Sequence, residues 1–283
     1  MKWATWMCCP GASRARASGA ARMLLMLAML LAAAAAQAAP CGGDMPCRLD
    51  GRSYNVLVPE GWDGVTPLPV MMHFHAFLRR GRSVIHHPRV ISATQPRGVL
   101  LVAPTARERA WRFWQDDPRE DIAFADAVLA DVARRWPVDR ERIFISGFSF
   151  GAAMAWRYAC ARGNRIAGLL SMSGTIAQNS ACLNPPRHVR HVHGLQDIWA
   201  SYPKKGDDLT FAVALWRNRF RCDKGSYLGD LVTAPGVAFS RFGWFRCLGG
   251  QDVTLDIHTG GHRIPDGWLG AQLDELMQAD RSH

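Results

Sequence analysis

The 283-residue chain is short of the features that would split it into modules. It has no internal repeat, no Ser/Gly- or Pro-rich linker and no block of like charge. A tandem architecture and a tethered binding module are therefore not written into the sequence. Although the net charge is +10, the arginines are scattered, with no basic run and no interleaved aromatic platform. That pattern reads as a solvated basic surface and argues against a nucleic-acid partner. There is also no CxxC pair after the first 38 residues, which removes the commonest zinc-cluster spacing.

One long apolar run is present, "MLLMLAMLLAAAAA", over residues 23–36. It follows a segment with Lys2, Arg14, Arg16 and Arg22 and no acid, and leads into "AQAAPC". A basic start, a short apolar core and a small-x-small exit describe a secretory signal peptide. The run is too short to span a bilayer, so no stable membrane anchor is expected. Cleavage is expected after Ala36-Gln37-Ala38, giving a signal peptide over 1–38 and one catalytic domain over 39–283. Lipidation at Cys41 is disfavoured by Pro40 before it. Loss of the four basic residues lowers the formal charge to +6. Cys8 and Cys9 leave with the leader, and the six remaining cysteines suggest disulfides in an exported, periplasmic or extracellular protein. Six cysteines allow 15 connectivities. Cys41 and Cys47 are close enough to close a small loop, and Cys160 with Cys182 and Cys222 with Cys247 complete the expected set.

The rest of the chain alternates two periodicities. "YNVLVP", "LPVMMHFH", "GVLLVAP", "RIFISG", "IAGLLSMSG", "HVRHVHG" and "VTLDIH" read as strands, several apolar enough to be buried on both faces. "EDIAFADAVLADVARRWP" places Ala125, Val128, Leu129, Val132 and Trp136 at helical spacing and ends at Pro137. "FGAAMAWRYACARG", "GDDLTFAVALWRNRF" and "DGWLGAQLDELMQ" read as further helices. Alternating strands and helices predict an α/β fold, a mostly parallel central sheet with helices on both faces.

In "RIFISGFSFGAAMAWRY", residues 142–158, Gly147-Phe148-Ser149-Phe150-Gly151 fits G-x-S-x-G. A buried-strand pattern precedes it and a helix pattern follows, the context in which such a turn lifts a serine hydroxyl above a sheet edge. The alternative is a serine capping a helix. A serine nucleophile needs a base and an orienting acid, in the chain order Ser, Asp or Glu, His. His262 lies in the Gly-rich loop after the last strand, and Asp197 in the loop after the preceding strand, 48 residues past Ser149. His258, Asp252 and Asp256 fall within the last strand and fit less well.

These segments resemble the polyhydroxybutyrate depolymerase and feruloyl esterase-like family of secreted α/β-hydrolases. The resemblance rests on "HFHAF", "DIAFADAVL", "WPVDRERIFISGFSFGAAMAWRYAC", "HVHGLQD" and "HTGGHRIP" and runs from about Ser53 to the last helix. It implies the α/β-hydrolase fold, Ser149 as nucleophile, His262 as general base and Asp197 as its orienting acid. The amides of Phe150 and of Phe77, in the His75-Ala76-Phe77 loop, are the expected oxyanion hole. Family members usually carry His-Gly in that loop, whereas this chain has Ala76, which suits a positive φ badly. "AWRFWQDD" puts Trp111, Phe113 and Trp114 where an aromatic pocket wall would form, and Trp199 follows Asp197; Trp111, Trp114 and Trp199 are the substrate-binding candidates. Asp116, Asp117 and Asp121 suit a helix start. His73-x-His75 and His191-x-His193 have acceptable metal spacing but no nearby carboxylate pair, and structural roles are favoured.

The expected activity is serine carboxylic ester hydrolysis through an acyl-enzyme, with no metal or organic cofactor implied. The expected substrate is polyhydroxybutyrate or its hydroxyalkanoate oligomers, or alternatively feruloyl or acetyl esters of plant polysaccharide. With no linker or binding module in the chain, soluble esters and short oligomers are expected to turn over better than insoluble granules. A catalytically inactive binding protein is the reading from another class, with Ala76 in its favour. The sequence sets no oligomeric state.

Overall fold

The computed structural model describes residues 41–113, 119–176, 182, 184–200, 211–223, 225–233 and 236–279. Among the described residues of the compact unit Cys41–His283, ten strands form one sheet in the order β1-β2-β4-β3-β5-β6-β7-β10-β9-β8. The strands are β1 (Cys47–Leu49), β2 (Arg52–Leu57), β3 (Leu68–Phe74), β4 (Leu100–Thr105), β5 (Val138–Phe148), β6 (Gly168–Met172), β7 (His188–Gly194), β8 (Ser226–Thr233), β9 (Val237–Trp244) and β10 (Asp252–His258). The central run from β4 to β10 is parallel throughout. The outer pairs β1–β2, β2–β4, β9–β10 and β8–β9 are antiparallel. Every residue of β3 and β6 is buried, as a parallel sheet covered on both faces requires.

Among the described residues six α-helices cover the sheet: α1 (Gly81–Ile85), α2 (Pro88–Thr94), α3 (Arg119–Arg135), α4 (Phe150–Arg162), α5 (Phe211–Arg219) and α6 (Trp268–Ala279). One face packs Val128 and Val132 of α3, Trp156 of α4 and Trp216 of α5 against Val70, Met72, Ile145 and Leu169. The other packs α1, α2 and α6, with Trp268 and Leu273, against Met71, Leu101, Phe144 and Leu170. Alternate residues of one strand therefore serve two separate cores.

Disulfides join Cys41–Cys47, Cys160–Cys182 and Cys222–Cys247, the three pairs expected from the sequence. Strands β1, β8 and β9 and helices α1 and α2 are additions to the elements read from the sequence. Among the described residues no helix is long and apolar enough to cross a membrane.

Candidate active site

The central parallel strands run in one direction, so the loops after β3, β5, β6, β7 and β10 meet at one edge of the sheet. Ser149 occupies the single residue between β5 and α4, with φ 57° and ψ −121°. That is a left-handed conformation a serine rarely adopts. Close packing forces the turn. A Cβ on Gly147 would lie 2.2 Å from the Gly151 carbonyl oxygen, and one on Gly151 would lie 1.9 Å from that of Phe74. Strand, turn and helix therefore approach closer than any side chain permits at those two positions. The Ser149 N–H donates to the Met172 carbonyl at 3.0 Å, which fixes the turn to β6.

His262 donates its Nδ1–H to Oδ2 of Asp197 at 2.7 Å. The Asp197 side chain is fully buried, and its Oδ1 accepts the N–H groups of Trp199 at 3.0 Å and Ala200 at 2.8 Å. Three N–H donors thus converge on one carboxylate, which leaves the His262 Nε2 free of the acid. Phe148 packs against the His262 ring with centroids 4.7 Å apart. The loops that carry Asp197 and His262 are laced together, Leu195 N–H to His258 O at 2.8 Å and Gln196 N–H to Gly260 O at 3.0 Å.

Ser149 and His262 line one cleft of about 370 Å³, with Phe77, Phe113, Phe150 and Trp199 as its aromatic walls. Phe150 packs against Phe77 at 4.8 Å and edge-on against Phe113 at 5.1 Å. The volume lies at the small end of ligand sites, which run from about 300 to 1,000 Å³.

The loop after β3 carries Phe77, whose N–H donates to no acceptor among the described residues. Ala76 lies outside the left-handed region, and the positive φ, 57°, falls on Leu78 instead. The difficulty that Ala76 raised in the sequence is thereby removed: the loop bends two residues later, closed by Arg79 N–H to Ala76 O at 3.1 Å and Leu78 N–H to Arg109 O at 2.9 Å. Buried His75 pins the loop's base, donating Nδ1–H to Ala76 O at 2.8 Å and accepting the Ala106 N–H on Nε2 at 3.0 Å. Burial pushes its pKa down to about 4, so the ring stays neutral and keeps both roles.

Trp111 is not a pocket wall. It is fully buried, with Nε1–H donating to His75 O at 2.9 Å and its ring edge-on to Phe74 at 5.0 Å. An indole that must satisfy one N–H in an apolar site turned inward to the nearest strand-end carbonyl. Trp114, Asp116 and Asp117 lie outside the described residues. Trp199 stands at the cleft with 81% of its surface exposed. Asp121, in the first turn of α3, pairs with buried Arg52 at 2.7 Å and accepts the Arg112 N–H at 2.9 Å, anchoring the loop that carries Trp111.

The remaining candidates are structural in their contacts. Asp252 pairs with Arg190 at 2.8 Å and Asp256 with Arg241 at 2.7 Å. His258 is buried, accepting the Gly260 N–H on Nδ1 at 3.0 Å. His73 contacts the Ser146 hydroxyl at 3.1 Å. Among the described residues no three His, Cys, Asp or Glu side chains form a metal-holding group. Sequence reading passed over Ser173 and Ala200 as cleft-lining residues; a Ser-Gly pair ending a buried strand beside Ser149 was the available signal.

The fold coincides with that of solved structures. An acetyl xylan esterase from Aspergillus awamori superposes with a TM-score of 0.60 at 12% identity, covering 80% of this chain and 94% of that one. The Bacillus cereus carboxylesterase superposes with 0.53 at 15% identity, covering 81% and 94%. The chain has the α/β-hydrolase fold. A phospholipase/carboxylesterase family pattern matches residues 119–203 of the chain, the span from α3 past Asp197. The chain is 26% identical to feruloyl esterase C of Emericella nidulans over 155 residues, 53% of this chain and 56% of that protein. It is 26% identical to feruloyl esterase D of Neurospora crassa over 243 residues, 78% of each. The chain thus spans about half the length of the feruloyl esterases C it matches.

Proposed function

We propose that the chain is an exported serine carboxylic ester hydrolase. One observation carries the reading: His262 donates to the buried Asp197 carboxylate at 2.7 Å and shares a cleft with Ser149, whose φ of 57° lifts it out of the strand-to-helix turn. Ser149 Oγ attacks the ester carbonyl carbon as His262 Nε2 takes its proton. The tetrahedral oxyanion is held by the amides of Phe150 and Phe77. His262 then protonates the leaving alcohol oxygen, the C–O bond breaks, and an acyl-Ser149 remains. Water, deprotonated by His262, attacks that acyl group and frees the acid. Asp197 fixes the imidazole tautomer and stabilises the imidazolium in both halves.

For the substrate, the similarity to feruloyl esterases C and D and the aromatic walls of a small cleft favour aromatic or acetyl esters of a polysaccharide. Hydroxybutyrate oligomers, expected from the sequence, take second place, because the cleft walls offer stacking faces that an aliphatic acyl chain does not need. The disulfides and the basic, apolar leader support export.

The test is hydrolysis of p-nitrophenyl acetate by the purified oxidised protein beside Ser149→Ala and His262→Ala. Loss of kcat by about 10⁴ or more in each variant is expected, followed by faster turnover of methyl ferulate than of a hydroxybutyrate trimer. A folded wild type without activity would return the chain to the binding-protein class.

A further inference from the structure

Behind the acid loop lies a row of buried polar side chains that no step above uses. His191 and His193 are two residues apart on β7 and so share one face of the sheet. The His193 Nε2 lies 2.5 Å from the Ala200 carbonyl oxygen. A carbonyl only accepts, so Nε2 carries the proton and Nδ1 is left as an acceptor. Nδ1 faces Nε2 of His191 at 3.4 Å, and Nδ1 of His191 faces the Ser171 hydroxyl at 3.2 Å. The directions agree along the whole row: Ser171 donates to His191, His191 to His193, and His193 to Ala200. Ser171 is the register partner of His191 on the neighbouring central strand, so the row begins inside the sheet.

The row ends on the loop that makes Asp197 usable. Trp199 and Ala200 give their amides to Oδ1 of Asp197, so Ala200 is held on both sides, its N–H by Asp197 and its carbonyl by His193. Oδ2 of Asp197 already takes the His262 proton at 2.7 Å, with His193 Nε2 at 3.5 Å, too long for a good hydrogen bond. His193 therefore serves the backbone around the acid more than the acid itself.

We infer that His193 is a positioning residue of the esterase centre: its Nε2–H holds the Ala200 carbonyl so that the 197–200 loop turns its amides onto Asp197 and keeps Trp199 at the cleft. The inference rests on the esterase reading of the site. Burial holds the pKa of His193 below its ordinary value, and that of His191 well below, so both rings are neutral near pH 7. A neutral His193 places no second positive charge beside Asp197.

Two measurements test this. Nitrogen-15 NMR of the histidine-labelled full chain near pH 7 should find His193 neutral with the proton on Nε2; a proton on Nδ1, or an imidazolium, would overturn the inference whatever the activity. Kinetics on p-nitrophenyl acetate should then separate His193→Leu from His193→Gln, whose amide N–H can still reach Ala200. His193→Leu is expected to lose kcat by about 10- to 100-fold, in line with a misplaced catalytic group. Its KM should change less than about threefold, and the acid limb of its pH profile should move to lower pH, because a displaced Asp197 stabilises the His262 imidazolium less. His193→Gln should recover most of the kcat. Wild-type kcat and pH limb in a folded His193→Leu, or no recovery in His193→Gln, would leave His193 a packing residue. An inactive wild type would sink the esterase reading, while the tautomer would still decide the Ala200 contact.

Discussion

The two loops that face Ser149 are held by the same kind of group working in opposite senses. On the oxyanion side His75 uses Nδ1–H to grip the Ala76 carbonyl and Nε2 to receive the Ala106 amide. On the acid side His193 uses Nε2–H to grip Ala200 and faces His191 with Nδ1. Each ring is buried at the end of a parallel strand, where the ladder stops and loop carbonyls have no strand partner. A neutral imidazole suits that place, because it is the one side chain that donates and accepts at fixed, opposite corners. What differs is the reinforcement: Trp111 adds a second grip on the oxyanion side, at His75 O, while the acid loop gains its rigidity from the buried carboxylate it surrounds.

The strongest way to break the comparison is at Asp197. Asp197→Asn keeps the shape but alters the tautomer of His262, and kcat should fall by about 10³–10⁴. A loss below tenfold would mean that the loop, and not the charge, is what matters. On the other side Trp111→Phe removes only the indole N–H to His75 O. Its kcat should fall about tenfold with KM unchanged, short of the about 10²–10³ expected when an oxyanion donor is lost outright; a KM effect alone would restore Trp111 as a substrate wall. Trp199→Ala should give the reverse split, raising KM for aryl esters about 3- to 10-fold through a lost stacking face while kcat changes little.

The smallest effect separates the two ends of the same strands. At the cleft end His73, His75 and His258 are held neutral by burial, with pKa values of about 3, 4 and 4. Their folded values lie below the unfolded value of about 6.5, so the unfolded chain binds more protons as pH falls, and stability drops from about pH 6.5 downward. At the opposite end burial would raise the Asp252 pKa, but His188 and Arg190 outweigh it and hold the carboxyl well below the usual range. Its contribution is present at neutral pH and lost only as pH falls through that lower folded value. The guanidinium midpoint should therefore fall between pH 7 and pH 5, through the histidines, before the Asp252 carboxylate titrates. An unchanged midpoint would mean that these histidines are solvated or charged in the folded protein.

The strands that carry the site were legible because burial on both faces leaves nearly continuous apolar runs such as Leu68–Phe74 and Gly168–Met172. The β8–β9 hairpin was not, since β8 is exposed over most of its length and pairs at the sheet edge, where polar residues are tolerated. Helices α1 and α2 have five and seven residues, too few for a helical period to show. In the candidate site, Ser149, Asp197 and His262 could be singled out because each follows the end of a strand within four residues. Trp111 misled because a tryptophan after a strand end looks the same whether its indole faces a cleft or a carbonyl. The task of His193 had no sequence signal, because its partner Ala200 contributes only a backbone oxygen, seven residues on.

The central claim is an activated Ser149. The most direct measurement is mass-spectrometric mapping of the purified, oxidised protein after treatment with a fluorophosphonate, beside Asp197→Asn. The account predicts a single adduct on Ser149, forming far more slowly in the variant. No adduct on folded wild type, or one on Ser149 that forms as fast without the Asp197 charge, would contradict it.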